Sequence, residues 1–118
     1  MTTKTLKKTP WGAPQHLREL AEGIVFYGTA RHGGLHLSRT RRNAMPAELR
    51  ALETFTGGPW YEEDCDWAIV ALAFPDAFEP ADVSSAMKTV AHYFSDRLDL
   101  ATYLTTEAGQ RCIDRAAK

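Results

Sequence analysis

Residues 23–38 constrain the fold most. Gly23-Ile-Val-Phe-Tyr-Gly-Thr-Ala30 is dense in β-branched and aromatic side chains, with Ile24 and Phe26 on one face of an extended chain and Val25 and Tyr27 on the other. Leu35-His-Leu-Ser38 alternates apolar and polar, the pattern of a half-buried strand. Arg31-His-Gly-Gly34 lies between them, and its adjacent glycines supply residues free to take positive φ. Together these segments predict an antiparallel hairpin.

The remaining elements read mostly as helices. Residues 14–21 place Leu17, Leu20 and Ala21 at helical spacing, with Gly23 as the stop. Ser38 or Thr40 caps a short helical turn, and Pro46 fits the first position of a helix reaching about Phe55, with Leu49 and Leu52 inward and Gly57-Gly58 ending it. Pro59 is the next predicted helix start, its acidic residues falling in the first turns, where the helix dipole favours negative charge. Residues 67–74 are wholly apolar, which fits a buried helix or a central strand. Length, three alanines and the acidic start favour the helix; Ile69-Val70 keeps the strand open. Pro75 ends the element either way.

From Pro80 to about Ser95, Val83, Met87, Val90, Ala91 and Phe94 recur at spacings of three and four, predicting a helix. Thr105 or Thr106 caps a last helix, with Glu107 near its start and Arg111, Arg115 and Lys118 toward its end. Gly109 weakens that helix by about 1 kcal/mol relative to alanine. The expected fold is α+β: a small antiparallel hairpin or sheet packed against about four helices, in a single domain over residues 10–118 behind a flexible N-terminal tail at 1–9.

At 118 residues the chain has the size of one domain and needs neither disulfide nor metal to bury a core. A net charge of −1 argues against a broad electrostatic footprint for nucleic acid. Charge is nevertheless clustered: Lys4, Lys7 and Lys8; Arg39, Arg41 and Arg42; and, opposing them, Glu62, Glu63, Asp64 and Asp66. Cys65 and Cys112 belong to no metal or redox motif and read as reduced thiols of a cytoplasmic protein. No apolar run approaches the ~20 residues that span a bilayer, and Pro10-Trp-Gly12 follows the basic N-terminus where a signal peptide would be apolar.

Two segments hold most of the chemically capable groups. His32 and His36 flank the double glycine, and with Asp64 or Asp66 they would make a two-imidazole, one-carboxylate metal triad. The structural alternative leaves His36 pointing outward or bonded to a carboxylate, and His32 capping the turn. Glu62, Glu63, Asp64 and Asp66 suit acid–base work or a hard cation, or simply charge at a helix start. Cys65 sits among carboxylates that disfavour its thiolate, which argues for a small buried hydrophobe over a nucleophile. Arg39, Arg41 and Arg42 have no neighbouring aromatic platform in the sequence and read as solvated surface. Trp60 and Tyr61, after Gly57-Gly58-Pro59, are the aromatics expected near a surface.

Thr9-Pro-Trp-Gly12, Gly23-Ile-Val-Phe-Tyr27, Thr29-Ala-x-His-Gly-Gly-x-His-Leu-Ser38 and Trp60-Tyr-Glu-Glu-Asp-Cys-Asp-Trp67 resemble an uncharacterised domain found in proteins of bacterial plasmids, prophages and phages. The resemblance implies a mobile-element origin in a bacterial host and carries no catalytic role. The expected function is non-catalytic binding of a host or phage-encoded protein complex, of the anti-CRISPR or anti-restriction type. The expected contacts are Arg31, His32, His36, Arg39, Trp60, Tyr61, Glu62, Glu63 and Asp64, with no cofactor, no membrane and no direct nucleic-acid contact. The alternative is a metal-dependent hydrolase or nuclease using His32, His36 and the carboxylates of residues 62–66. A homodimer or a module of a larger protein is the third reading.

Overall fold

The hairpin expected at residues 23–38 forms the middle of a four-stranded antiparallel sheet. In the computed structural model, which describes Leu6 and residues 8–118, the strands are β1 (His16–Ala21), β2 (Ile24–Gly28), β3 (Gly33–Leu37) and β4 (Trp60–Glu62), in that spatial order. With six α-helices among the described residues, the class is α+β. The chain divides into two compact units, one comprising residues 1–44 and 53–66, the other 45–52 and 67–118. Of the tail expected at residues 1–9, residues 1–5 and Lys7 lie outside the described residues. Leu6 donates its amide to the Tyr27 hydroxyl at 3.1 Å.

The first unit holds the sheet. Val25 lies opposite His36, Tyr27 opposite Gly34, and His36 opposite Trp60 on the far side of β3. The reversal between β2 and β3 uses residues 29–32, not the glycines. The Thr29 amide and hydroxyl both donate to the His32 carbonyl, at 2.9 and 2.7 Å. Gly33 and Gly34 are strand residues, and the positive-φ glycines are Gly12, Gly23 and Gly57. Gly34 is required for a different reason: a Cβ there would run into the Trp11 ring and the Tyr61 carbonyl.

Two expected helices are strands instead. Residues 14–21 carry helical spacing, but Gly23, at φ +84°, turns the chain back and β1 pairs along β2. A helix this short gains too little from its own hydrogen bonds to compete with a ready strand edge. A bulge between Glu19 and Ala21 absorbs one extra residue. Likewise, no helix starts at Pro59. Trp60 and Tyr61 suit a strand and pair with the open edge of β3, so the acidic residues fall at the end of β4 and in the turn after it. In the same unit, α1 (Arg39–Ala44) starts as expected, with the Ser38 hydroxyl accepting the Arg41 amide at 3.1 Å.

The second unit is helical: α2 (Ala47–Arg50), α3 (Trp67–Ala73), a 3-10 turn (Pro75–Ala77), α4 (Pro80–Tyr93), α5 (Leu100–Tyr103) and α6 (Glu107–Ala116). Pro46 precedes α2, which ends at Arg50, short of Phe55; Leu49 and Leu52 are buried as expected. The ambiguous apolar run is the helix α3, with Ala68, Ile69, Val70, Ala71 and Leu72 all buried. Each of Ile69, Val70 and Leu72 contributes about 1.5–3 kcal/mol by leaving water.

On α4 the buried positions are Val83, Ala86 and Val90, with Phe94 buried just beyond the helix; Met87 is half-buried and Ala91 exposed. Thr106 caps α6 by accepting the Gly109 amide at 3.1 Å. A Cβ on Gly109 would strike the Tyr103 carbonyl, so the glycine that weakens the helix permits its close approach to α5. The Cys112 thiol donates to the Leu72 carbonyl at 3.1 Å and Arg115 Nε to the Phe78 carbonyl at 2.9 Å. No helix among the described residues is long and apolar enough to cross a membrane.

Candidate functional site

The chain leaves β4 at Glu62, and there the acidic segment closes on itself. Glu62 Oε1 accepts the amides of Cys65 at 2.6 Å and Asp66 at 3.4 Å. Asp66 Oδ2 accepts the Phe55 amide at 2.7 Å, and its Oδ1 takes the Cys65 thiol at 3.7 Å. Glu62 is 8% exposed and Asp66 2%, and both are satisfied by hydrogen bonds, as buried carboxylates must be.

Their electrostatics diverge. Burial alone would raise the Glu62 pKa, but the backbone amides around it, from Cys65, Asp64 and Asp66, hold it below the ordinary value. Burial raises Asp66, against the pull of the Phe55 amide. Burial, reinforced by Glu62 and Asp66, pushes the Cys65 thiol up to about 12. At neutral pH Cys65 is therefore a protonated thiol, the opposite of an activated nucleophile.

Donor atoms of Glu62, Cys65 and Asp66 lie within 4.8 Å of one another, the group among the described residues with metal-ligand spacing. Neither His32 nor His36 belongs to it. One oxygen of each carboxylate already serves backbone amides, so the cluster's evident work is to fold the loop.

Through Asp66 the cluster reaches the loop of residues 54–60 at Phe55, and the loop is otherwise held by its own bonds. The Thr54 hydroxyl accepts the Gly57 amide at 2.9 Å, the Thr56 hydroxyl donates to the Trp60 carbonyl at 3.2 Å, and the Trp60 amide donates to the Gly57 carbonyl at 3.1 Å. From this braced loop the Phe55 ring projects 87% exposed, the most exposed large apolar side chain among the described residues. The helix expected from Pro46 to about Phe55 would have placed this ring at a helix end, and nothing in that expectation singles it out. The signal was the Thr54-x-Thr56-Gly57-Gly58-Pro59 string, which is turn chemistry and not helix chemistry.

The expected contact residues are distributed over three places. Arg31 and His32 are exposed in the β2–β3 turn, and exposed Glu63 and Asp64 lie at the same end of the sheet, where the Glu63 amide donates to the Gly33 carbonyl at 2.9 Å. His36 and Trp60 are half-buried on one face of the sheet. His36 lies 4.7 Å from the Trp60 ring centre and 6.4 Å from that of Tyr27, while Trp11 meets Trp60 edge-on at 5.5 Å. Burial, then the Arg42 charge, lowers the His36 pKa, so this imidazole is neutral at pH 7. Arg39 follows the other end of β3, whose five residues span about 16 Å. Tyr61 and Glu62 are buried.

No curated protein and no solved structure matches the chain. A family model described as a domain of unknown function, DUF7007, matches residues 4–118 and so spans both units; the chain belongs to that family.

Proposed function

We propose that this chain is a non-catalytic binding module that docks on a macromolecular partner. The carrying observation is the division of labour in the first unit: buried Glu62 closes the acidic turn through the Cys65 and Asp66 amides, and buried Asp66 accepts the amide of Phe55, whose ring is exposed. Carboxylates and a thiol engaged in this way are poorly placed for turnover. A loop whose backbone is already fixed gives up less conformational freedom on binding. The exposed Arg31, His32, Glu63 and Asp64 add a rim of mixed charge that can orient a partner.

The mobile-element resemblance of the sequence points to a host or phage-encoded protein complex as the partner, and to occlusion of a host defence system as the outcome. Affinity purification of the tagged protein from host lysate tests the first part. A protein complex is expected with the wild type and much less of it with Phe55→Ala; recovery of nothing by the wild type overturns the reading. Expression in bacteria carrying an active CRISPR or restriction system tests the second. Restored plating of a targeted phage is expected, and no restoration in any system overturns it.

The metal-dependent hydrolase reading draws on one observation, the spacing of Glu62, Cys65 and Asp66. Elemental analysis of protein purified without a histidine tag decides it: stoichiometric zinc, manganese or iron would establish that centre.

A further inference from the structure

We infer that the Phe55 loop and the arginine ridge of α1 form one docking surface, fitted to a protein partner that presents an apolar socket ringed by carboxylates. The inference rests on the binding reading above and names the chemistry of the partner.

The two features adjoin. The Arg42 guanidinium lies against Gly58: a Cβ built there would sit 3.1 Å from Nη2 and 3.5 Å from Cζ and Nε. Phe55 is three residues from Gly58, a stretch of chain that spans at most about 11 Å. Arg39, three residues before Arg42 on the same helix, shares its side. Arg41 reaches the other way, donating Nε to the Glu22 carbonyl at 2.8 Å. The helix reads Arg-Thr-Arg-Arg-Asn-Ala and contains no acidic residue of its own.

A cationic ridge beside a projecting ring selects its complement. The ring gains only by leaving water, so the partner must offer an apolar recess. The guanidiniums gain most from planar bidentate acceptors, which carboxylates supply. Aromatic residues and arginine are the types enriched at the centres of protein interfaces. A single-stranded nucleic acid fits less well. It needs successive rings along a positive groove, whereas one projecting ring stacks one base and the chain carries a net charge of −1.

The test places photoreactive benzoylphenylalanine at position 55 in one protein and at position 32 in another, irradiates both in the host cell, and sequences the linked peptides. The expected product at position 55 is one partner protein whose linked segment is rich in Asp and Glu around apolar residues. Arg39→Glu should cut the yield of that product about tenfold or more at an unchanged melting temperature, and Arg39→Lys, which keeps the charge but loses the bidentate fork, should cut it less than Arg39→Glu does. A product at position 32 with none at 55 overturns the inference and leaves the binding reading standing. A basic linked segment, a nuclease-sensitive product or a second copy of this chain at position 55 also overturns it. No product at either position removes both.

Discussion

Asp66, the more deeply buried of the two buried carboxylates, holds the backbone of Phe55, the most exposed ring: Oδ2 accepts the Phe55 amide at 2.7 Å. The bond joins the end of the acidic turn to the start of the 54–60 loop. Asp66→Ala leaves a polar amide without its acceptor, a loss of about 1–3 kcal/mol in unfolding free energy. Asp66→Asn keeps an oxygen and should lose less. Hydrogen exchange at the Phe55 amide reads the effect locally, and should speed up in the alanine variant. Phe55→Ala itself should change stability by no more than about 0.5 kcal/mol, because its ring contacts little. Unchanged exchange in Asp66→Ala would show that the loop is held by its threonines alone.

The two buried carboxylates should respond to acid with opposite signs. Although burial opposes it, the surrounding amides keep the folded pKa of Glu62 below the ordinary value. The unfolded chain therefore takes up this proton first, and the stability due to Glu62 is complete above the unfolded value and lost as pH falls through the folded one. Burial sets the folded pKa of Asp66 above the ordinary value, so its contribution is present below the unfolded value and lost as pH rises through the folded one. Denaturation between about pH 3 and pH 6 separates them. The stability difference between wild type and Glu62→Gln should shrink on acidification, and that between wild type and Asp66→Asn should shift in favour of wild type. Parallel curves for the two variants would contradict the assignment.

Both thiols should be inert in the folded protein. Burial first, then the neighbouring carboxylates, pushes Cys65 up to about 12, and burial pushes Cys112 up to about 11. At pH 8 the thiolate fraction of Cys65 is then about one part in ten thousand, roughly a thousandfold below that of an unperturbed thiol. Labelling with iodoacetamide at pH 8 should be slow for both residues in native protein and fast in denaturant. Rapid native labelling of Cys65 would mean that the Glu62 and Asp66 contacts do not persist in solution.

The central hairpin was legible because strand propensity, alternation and a polar turn agree over residues 23–38. The apolar run of residues 67–74 announces a buried element ended by proline but not its type, helix or strand, and Thr105 or Thr106 announces α6 as a cap, the structure using Thr106. The strands β1 and β4 were not legible. Leu17, Leu20 and Ala21 carry helical spacing, and Pro59 before four acids reads as a helix start. What decides both is pairing: β1 with its neighbour β2 across the turn at Gly23, and β4 with β3, which lies far along the chain; the spacing within either segment encodes neither. The double glycine misled for a related reason. Glycine serves positive φ or close approach, and only the presence of Trp11 and the Tyr61 carbonyl over Gly34 shows which. At the site, the carboxylates were visible as chemistry, but their use as acceptors for the Phe55, Cys65 and Asp66 amides depends on how the turn closes.

Tyr103 carries a polar group that the fold does not use. The side chain is 2% exposed, and its hydroxyl has no hydrogen-bond partner among the described residues. Burial, reinforced by the neighbouring Cys112 and Glu48, drives its pKa well above that of a free tyrosine, so the group stays neutral. An unpaired buried hydroxyl is a desolvation loss with no return, while the ring around it still fills its share of the second unit's core. Tyr103→Phe should therefore leave stability unchanged or raise it by up to about 1 kcal/mol. Tyr103→Ala empties the site and should lose about 3–5 kcal/mol. Urea denaturation with an unchanged slope is the measurement. A loss above about 1 kcal/mol in the phenylalanine variant would reveal a buried water or other partner on that hydroxyl.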